Sequence, residues 1–452
     1  MIRICWTAVL AVTFLASCTS KHKGDYHAYI QDPMLYSKTV KQLNNVVLEN
    51  NFPPMIASRN YAYAAIAAYE SIVPFDPRFQ SLAGQIRHLP PLPALDTTEV
   101  DYHLAAIMAF SKVGESVTFP EGSLQEYVGR IRKEADSAGM PSKVMNATAA
   151  YADSVAMHII RWSKGDHYAQ LRTSPKYTIT MEEGRWIPTP PMYAQALEPS
   201  WREMRCMVMD SCSQFKPRPH PAYDISNKNS EYFRALTEVK TITDSLTQEQ
   251  KDIADFWDDN PFKMNVNGHV MFATKKFSPA GHWMNIVGIG AQKAGADFET
   301  TVAAYAHAAI ALYDAFISCW DEKFNCNLVR PETVINKYIT TEWQPYIQTP
   351  PFPSHTSGHA TISAAAAETM SFWFGDSLSY TDTSSLEFGI RSRDFHSFRD
   401  AAREAAMSRL YGGIHYRFDN DHGNEAGQKL GQHIVHALIF QNNQLTDLKR
   451  KP

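Results

Sequence analysis

The sequence predicts an all-α protein, a multi-helix bundle with its functional site in the C-terminal part of the bundle. Two observations lead there. Apolar residues recur at steps of three and four along most of the chain, which gathers them on one helical face. Runs that alternate every second residue, the pattern of a half-buried strand, are scarce, and the best of them is Lys176 to Met181. The clearest helical stripe is Phe298, Val302, Tyr305, Ala309, Leu312, Phe316 and Trp320, which makes 298–320 one buried helix. With 452 residues, 44% hydrophobic and 20% charged, the chain can bury the core of two ordinary domains or one large helical assembly.

From the N-terminus, Arg3 precedes an apolar run from Trp6 to Leu15 and then Leu15-Ala16-Ser17-Cys18. The run is too short to span a bilayer and has the layout of a signal peptide. The tetrapeptide resembles the lipobox of bacterial lipoproteins, which implies a signal peptide over 1–18 and a lipidated Cys18. The expectation is a protein tethered to the bacterial envelope, periplasmic or on the cell surface, that meets the membrane through this anchor only. After residue 18 no apolar stretch is read as long enough to cross a bilayer, so the body is expected to be soluble.

Helices are expected over 35–50, 59–73, 98–117, 122–138 and 142–163. Two irregular stretches follow, 164–201 with Trp186-Ile187-Pro188-Thr189-Pro190-Pro191 and 214–224 with Lys216-Pro217-Arg218-Pro219-His220-Pro221. Proline removes backbone donors and disfavours helix in both. The first is expected to pack as a surface loop and wall an active-site funnel. A soft boundary near residue 225 separates an N-terminal helical region, 19–225, from a C-terminal helical bundle, 226–452. That bundle is expected to contain helices 227–240, 247–257, 281–294, 298–320, 357–374, 393–411 and 421–438.

A net charge of −4 gives no global basic field, so nucleic acid is a poor main partner and any anion site must be a local cluster. Beyond Cys5 and Cys18 the cysteines are Cys206, Cys212, Cys319 and Cys326, none spaced as a zinc site. Pairs 206–212 and 319–326 are open, the second only if the helix ends between its two cysteines.

Three segments carry chemistry. Lys323 and Arg330-Pro331 are separated by six residues after the long helical stripe. Pro353-Ser354-His355-Thr356-Ser357-Gly358-His359 precedes an alanine-rich helix, and Ser408-Arg409 leads through Gly412-Gly413 to His415 and Asp419. Taken singly these are a basic face, an N-cap and a C-cap. Together they hold what an oxyanion site needs. Three cations neutralise a multiply charged centre, Ser357 and the Gly358 amide sit at a helix N-terminus, and two histidines serve proton transfer or a bond to the central atom.

These blocks resemble the signature of the type-2 phosphatidic acid phosphatase and vanadium haloperoxidase superfamily: Lys, six residues, Arg-Pro; then Pro-Ser-Gly-His; then Ser-Arg, five residues, His, three residues, Asp. The match runs in order over 323–419, and Thr356 replaces the usual proline. The resemblance implies that Lys323, Arg330 and Arg409 bind the anion's oxygens, with Ser357 and Gly358 adding hydrogen bonds. It also implies that His415 bonds vanadium or phosphorus and that His359 is the acid/base. Asp419 either orients His415 or caps a helix beginning near Asp421.

Phosphate and vanadate share a tetrahedral shape, so these ligands alone do not choose between them. The long helical N-terminal half, Ser357-Gly358-His359-Ala360, Phe352 and Trp320 are similar to the haloperoxidase branch, especially its soluble bacterial iodoperoxidase-like members. The implied function is vanadate-dependent, peroxide-driven oxidation of halide, iodide or bromide favoured, with phosphate as a competitor. A histidine-dependent phosphomonoesterase is the alternative. A non-catalytic surface-binding lipoprotein, suited by the aromatic loops at 162–201, leaves the ordered cations and histidines unexplained. His269, His282, His355, His396 and His422 show no spacing that favours ligation.

Overall fold

A computed structural model describes residues 25–94, 99–119, 122–260, 263–267, 270–442 and 444. The signal segment and Cys18 lie outside the described residues, as does His269. The first half forms α1 Tyr26–Ile30, α2 Pro33–Glu49, α3 Pro54–Ile72, α4 Tyr102–Val117, α5 Ser123–Ser137, α6 Ser142–Ser163 and α7 Tyr168–Leu171. The second half forms α8 Glu231–Asp244, α9 Gln248–Phe256, α10 Pro279–Ala294, α11 Phe298–Cys326, α12 Pro331–Tyr338, α13 Gly358–Phe374, α14 Phe398–Tyr411 and α15 Arg417–Ala437. The strands are short antiparallel pairs: β1 Lys263–Asn267 with β2 Val270–Thr274, and β3 Tyr380–Asp382 with β4 Arg393–Phe395.

Helix starts follow side-chain chemistry. Asp32, Asp101, Ser278, Asp297 and Ser397 each accept a backbone N–H from the first turn of the helix they precede, satisfying a donor that otherwise has no partner. Ser397 explains why α14 starts later than 393: residues 393–395 are strand β4 and the cap lies after them. The expected strand at Lys176 to Met181 is irregular backbone instead. Of its alternating apolar residues only Tyr177 packs, against Trp186 and Phe324, while Ile179 is 48% and Met181 88% exposed.

Every residue of α3, and of α11 from Thr301 to Lys323, is buried. A helix apolar all round belongs in a core or a membrane. Helix α11, with 29 residues, is long and apolar enough to span a bilayer, which corrects the expectation of no such stretch, yet its most apolar window is wholly buried by neighbouring helices. One continuous apolar core draws on α2 to α6 as well as α10, α11, α13 and α15, so it runs through both sides of residue 225. Because α11 continues unbroken to Cys326, Cys319 and Cys326 cannot meet, and both are free thiols, as are Cys206 and Cys212.

Helices α13 and α15 approach at backbone distance. Gly423, Gly427 and Gly431, one per turn of α15, face Thr361 and Ala365 of α13. A Cβ at Gly427 would lie 2.0 Å from the Thr361 carbonyl oxygen. This closeness sets the N-terminal end of α13, with Ser357 to His359, against the N-terminal end of α15, with His415 and Asp419 just before and within it.

Candidate functional site

The three motif segments converge. Lys323 lies in the last turn of α11, Arg330 is the N-cap of α12 with Pro331 at its first position, and Ser357 is the N-cap of α13. Arg409 is in the last turn of α14, after which Gly413, at φ +76, turns the chain so that His415 precedes α15. A cavity of about 40 Å³ at this junction is lined by Gly358, His359, Arg409, His415 and Asp259, with Trp320 and Phe352 among its apolar walls. Leu197, in the long irregular stretch, also lines it and accepts a hydrogen bond from Trp320 Nε1 at 3.1 Å.

Lys323 Nζ donates to the carbonyls of Pro353 (2.8 Å) and Ser354 (3.1 Å), fastening the loop that carries Ser357 to His359. Arg330 donates from Nε to Phe352 O and from Nη1 to Ile414 O, both at 2.8 Å. The Phe352 ring lies 5.0 Å from Lys323 Nζ, 5.1 Å from Arg330 Cζ and 5.0 Å from the Trp320 ring. Phe352 and Trp320 therefore face the cations as well as the core. Arg409 donates to Trp257 O at 2.7 Å. Burial draws the Lys323 ammonium down to about 8 and lowers both arginines, though a guanidinium keeps its proton. Among the described residues no carboxylate lies within 4.0 Å of any of the three cations, and Arg330 Nη2 and Arg409 Nε are buried without a partner.

His415 has a defined tautomer. Its Nδ1 donates to Asp419 Oδ2 at 3.0 Å, and Arg330 Nη1 donates to its Nε2 at 3.1 Å. An ionised carboxylate only accepts and a guanidinium only donates, so Nδ1 carries the proton and Nε2 the lone pair. Burial and the charge of Arg330 keep this ring neutral. Of the two roles the sequence left open, Asp419 orients His415. It does not cap a helix beginning near Asp421: α15 already starts at Arg417, and Asp419, inside its first turn, accepts the Tyr416 N–H at 3.2 Å.

Sequence reasoning missed the partners behind the two histidines. Asp419 also accepts from Ser354 Oγ at 2.5 Å and from His355 Nδ1 at 3.1 Å. Burial raises its pKa, but the bonds from His355 and His415 outweigh burial and hold the carboxyl well below the usual range. On the other side, Asp259 Oδ2 lies 3.7 Å from His359 Nε2, too far for a hydrogen bond. Burial and the charge of Arg409 bring His359 down to about 4. Asp259 follows Trp257 and Asp258 in a loop after α9, and no spacing to His359 marks it. His355, two residues before Ser357, has adjacency as its only signal. Ser357 Oγ accepts its cap bond from Ala360 N at 3.4 Å, while its own N–H donates to Asp419 O at 3.1 Å.

The residues fit a tetrahedral oxyanion: Arg409, the Gly358 start of α13 and His415 line one small cavity, Lys323 and Arg330 stand buried behind its wall without carboxylates in range among the described residues, and both arginines keep an unpartnered N–H group. The comparisons point the same way. The family model described as VCPO second helical-bundle domain matches residues 339–443. A crystal structure of a bacterial vanadium-dependent iodoperoxidase is 39% identical, covers 90% of this chain and 97% of that one, and superposes with a TM-score of 0.85. Holo-type and apo-type bacterial vanadium-dependent chloroperoxidases, at 16% and 15% identity, share the fold with TM-scores of 0.64. The holo-type match covers 85% of this chain and 92% of that one, the apo-type 86% and 94%. No curated protein sequence matches the chain.

Proposed function

The chain belongs to the vanadium-dependent haloperoxidase family, and from that membership we propose that it oxidises halide with hydrogen peroxide at a vanadate bonded to His415 Nε2, with iodide the preferred halide. One observation carries the site assignment: Arg409 lines the cavity, Lys323 and Arg330 are buried directly behind its Phe352 and His415 walls, and none of the three has a carboxylate in ion-pair range among the described residues. Burying unpaired cations is costly, and a bound oxyanion offsets that cost.

Bound vanadate supplies a Lewis acid that activates peroxide without changing oxidation state. The chain's own groups do the rest. Arg330 Nη2 and Arg409 Nε, both without a partner, would donate to the anion's oxygens, and the Gly358 amide at the start of α13 would add a further donor. Asp419 keeps the His415 proton on Nδ1, so Nε2 carries a lone pair that now accepts from Arg330 Nη1 and would bond the vanadium once Arg330 turns to the anion. His359, neutral at pH 7, takes the proton that peroxide releases. Trp320, Phe352 and the other apolar walls exclude bulk water, which strengthens each charge interaction inside. The iodide preference rests on likeness to the iodoperoxidase and on iodide being the halide most readily oxidised.

The test is to incubate the protein with vanadate, remove excess, and measure vanadium content and peroxide-dependent halide oxidation. Stoichiometric vanadium, iodide oxidation above bromide, none of chloride, and inhibition by phosphate are expected. No halide oxidation, together with His415-dependent hydrolysis of a phosphomonoester, replaces the reading with the phosphatase one. We also propose, on Leu15-Ala16-Ser17-Cys18, that the chain is tethered to the envelope through Cys18. A mature N-terminus beyond residue 18 by mass spectrometry refutes that.

A further inference from the structure

Behind His359 the structure holds a buried row of charge that the reaction as described does not use. Both oxygens of Asp259 face His282 Nδ1, at 2.9 and 3.1 Å, and His282 Nε2 faces Asp382 Oδ2 at 3.0 Å. His282 and Asp382 are fully buried. The Trp257 ring stacks on the imidazole at 4.7 Å, and the Phe256 ring lies tilted beside both at 5.3 Å from the imidazole. Asp382 is fixed in turn by Ser384 N, which donates to its other oxygen at 2.8 Å. Four groups from four elements thus form one line: Asp382 on β3, His282 on α10, Asp259 after α9 and His359 on α13.

We propose that His282 and Asp382 are positioning residues for His359, acting through Asp259: they hold the Asp259 carboxylate turned away and charge-compensated, so that His359 stays neutral and free to accept a proton. The geometry dictates this. Each ring nitrogen of His282 meets a carboxylate, which can only accept, so both nitrogens donate and the ring is an imidazolium. Burial opposes that charge, but the two carboxylates outweigh burial and raise His282 to about 10. The imidazolium takes both Asp259 oxygens at hydrogen-bond distance, whereas His359 stands off at 3.7 Å. Without the imidazolium, Asp259 becomes an uncompensated anion whose nearest basic partner is His359, and the ring is drawn to its protonated form.

The remaining charges facing this row are few. Asp258 adjoins Asp259 and lies 3.9 Å from Lys276, and Arg409 on α14 acts on His359 and Asp259 from the cavity side. Glu404, also on α14, is occupied by Trp257 Nε1 at 3.0 Å and by Arg393. None supplies a second cation that bonds Asp259.

This inference rests on the proposed role of His359, so its test has one arm that needs no activity. In vanadate-free full-length protein labelled with ¹⁵N-histidine, the His282 ring, assigned with His282→Gln and Asp382→Asn, carries protons on both nitrogens at pH 8. A neutral ring overturns the proposal whether or not the enzyme turns over halide. In vanadate-loaded enzyme, His282→Gln moves the acid limb of the pH profile of kcat/KM upward by about 1 to 3 pH units, the size of shift an opposite charge at close range produces. Vanadate affinity is retained. Asp382→Asn, the milder change, moves the limb in the same direction by less, and it serves alone if His282→Gln does not fold. An unmoved limb, or a loss of rate equal at every pH, is what a merely structural role gives and refutes the proposal.

Discussion

Replacing Asp419 by Asn removes one charge and one acceptor from a fully packed position. In the native site Oδ2 accepts from His415 Nδ1 (3.0 Å), Ser354 Oγ (2.5 Å) and Tyr416 N (3.2 Å), and Oδ1 accepts from His355 Nδ1 (3.1 Å). The amide keeps one oxygen. Its less costly orientation leaves that oxygen on the three Oδ2 partners and turns the NH₂ group on His355, where two donors then face each other. A lost charge-assisted bond costs about 1.5–3 kcal/mol, so the protein is destabilised by that order. The bond to His415 survives but becomes neutral and roughly half as strong, which makes Nε2 a weaker base. Loss of such an outer partner typically costs about 10- to 100-fold in metal affinity, or roughly 1.4–2.7 kcal/mol. The assay is titration of the vanadate-free protein with vanadate, read by tryptophan fluorescence because Trp320 lines the cavity. A folded Asp419→Asn that binds vanadate within about twofold of the parent refutes the assigned role, since the outer-partner argument requires at least about tenfold.

The remaining predictions concern the other histidines and the helix contact. His359→Ala leaves vanadate binding largely intact and lowers kcat by about 100- to 10,000-fold, the range for a lost general acid or base; equal loss of binding contradicts it. Gly427→Ala puts a Cβ 2.0 Å from Thr361 O, so urea unfolding should show about 1–3 kcal/mol lower stability from overpacking, and an unchanged midpoint rejects the close approach of α13 and α15. His307 is fully buried, lowered to about 3 by burial, with Nδ1 accepting from Trp373 Nε1. Between pH 6.5 and 3 the unfolded chain binds a proton there that the folded chain refuses. Its contribution is therefore complete above pH 6.5 and lost on acidification at up to about 1.4 kcal/mol per unit. His307→Gln, which keeps an acceptor and cannot titrate, flattens that slope in denaturation measured from pH 6.5 to 4.5, and an unaltered slope counts against the buried neutral ring.

What the sequence discloses and what it hides divide along physical lines. Lys323, Arg330, Ser357, Gly358, His359, Arg409 and His415 are readable because each sits at a fixed offset from a helix end, and helix ends leave marks such as Asn327 after α11, Pro331 and Gly412-Gly413. The groups behind them, Asp259, His282, His355 and Asp382, owe their roles to tertiary convergence across 64 residues for His355 to Asp419 and 100 for His282 to Asp382. No local period records such pairs. The strand errors have a different origin. Alternation at 176–181 reads as a strand, but a strand also needs a partner edge, and none is there. The paired strands β1 and β2 are absent from the sequence reading because Lys263 to Asn267 carries only Met264 and Val266 as apolar residues, too short an alternation to stand out. Helix α11 was read too short because Lys323 and the polar residues after Trp320 break the apolar stripe, while the backbone continues to an αL cap at Asn327.

The most direct measurement is a crystal structure of the protein soaked with vanadate. One vanadium atom is expected at bonding distance from His415 Nε2, with its oxygens on Arg330 Nη2, Arg409 Nε and the Gly358 amide, and Asp419 unmoved on Nδ1. Vanadate bound elsewhere, or a cavity with His415 still held only by Arg330, contradicts it.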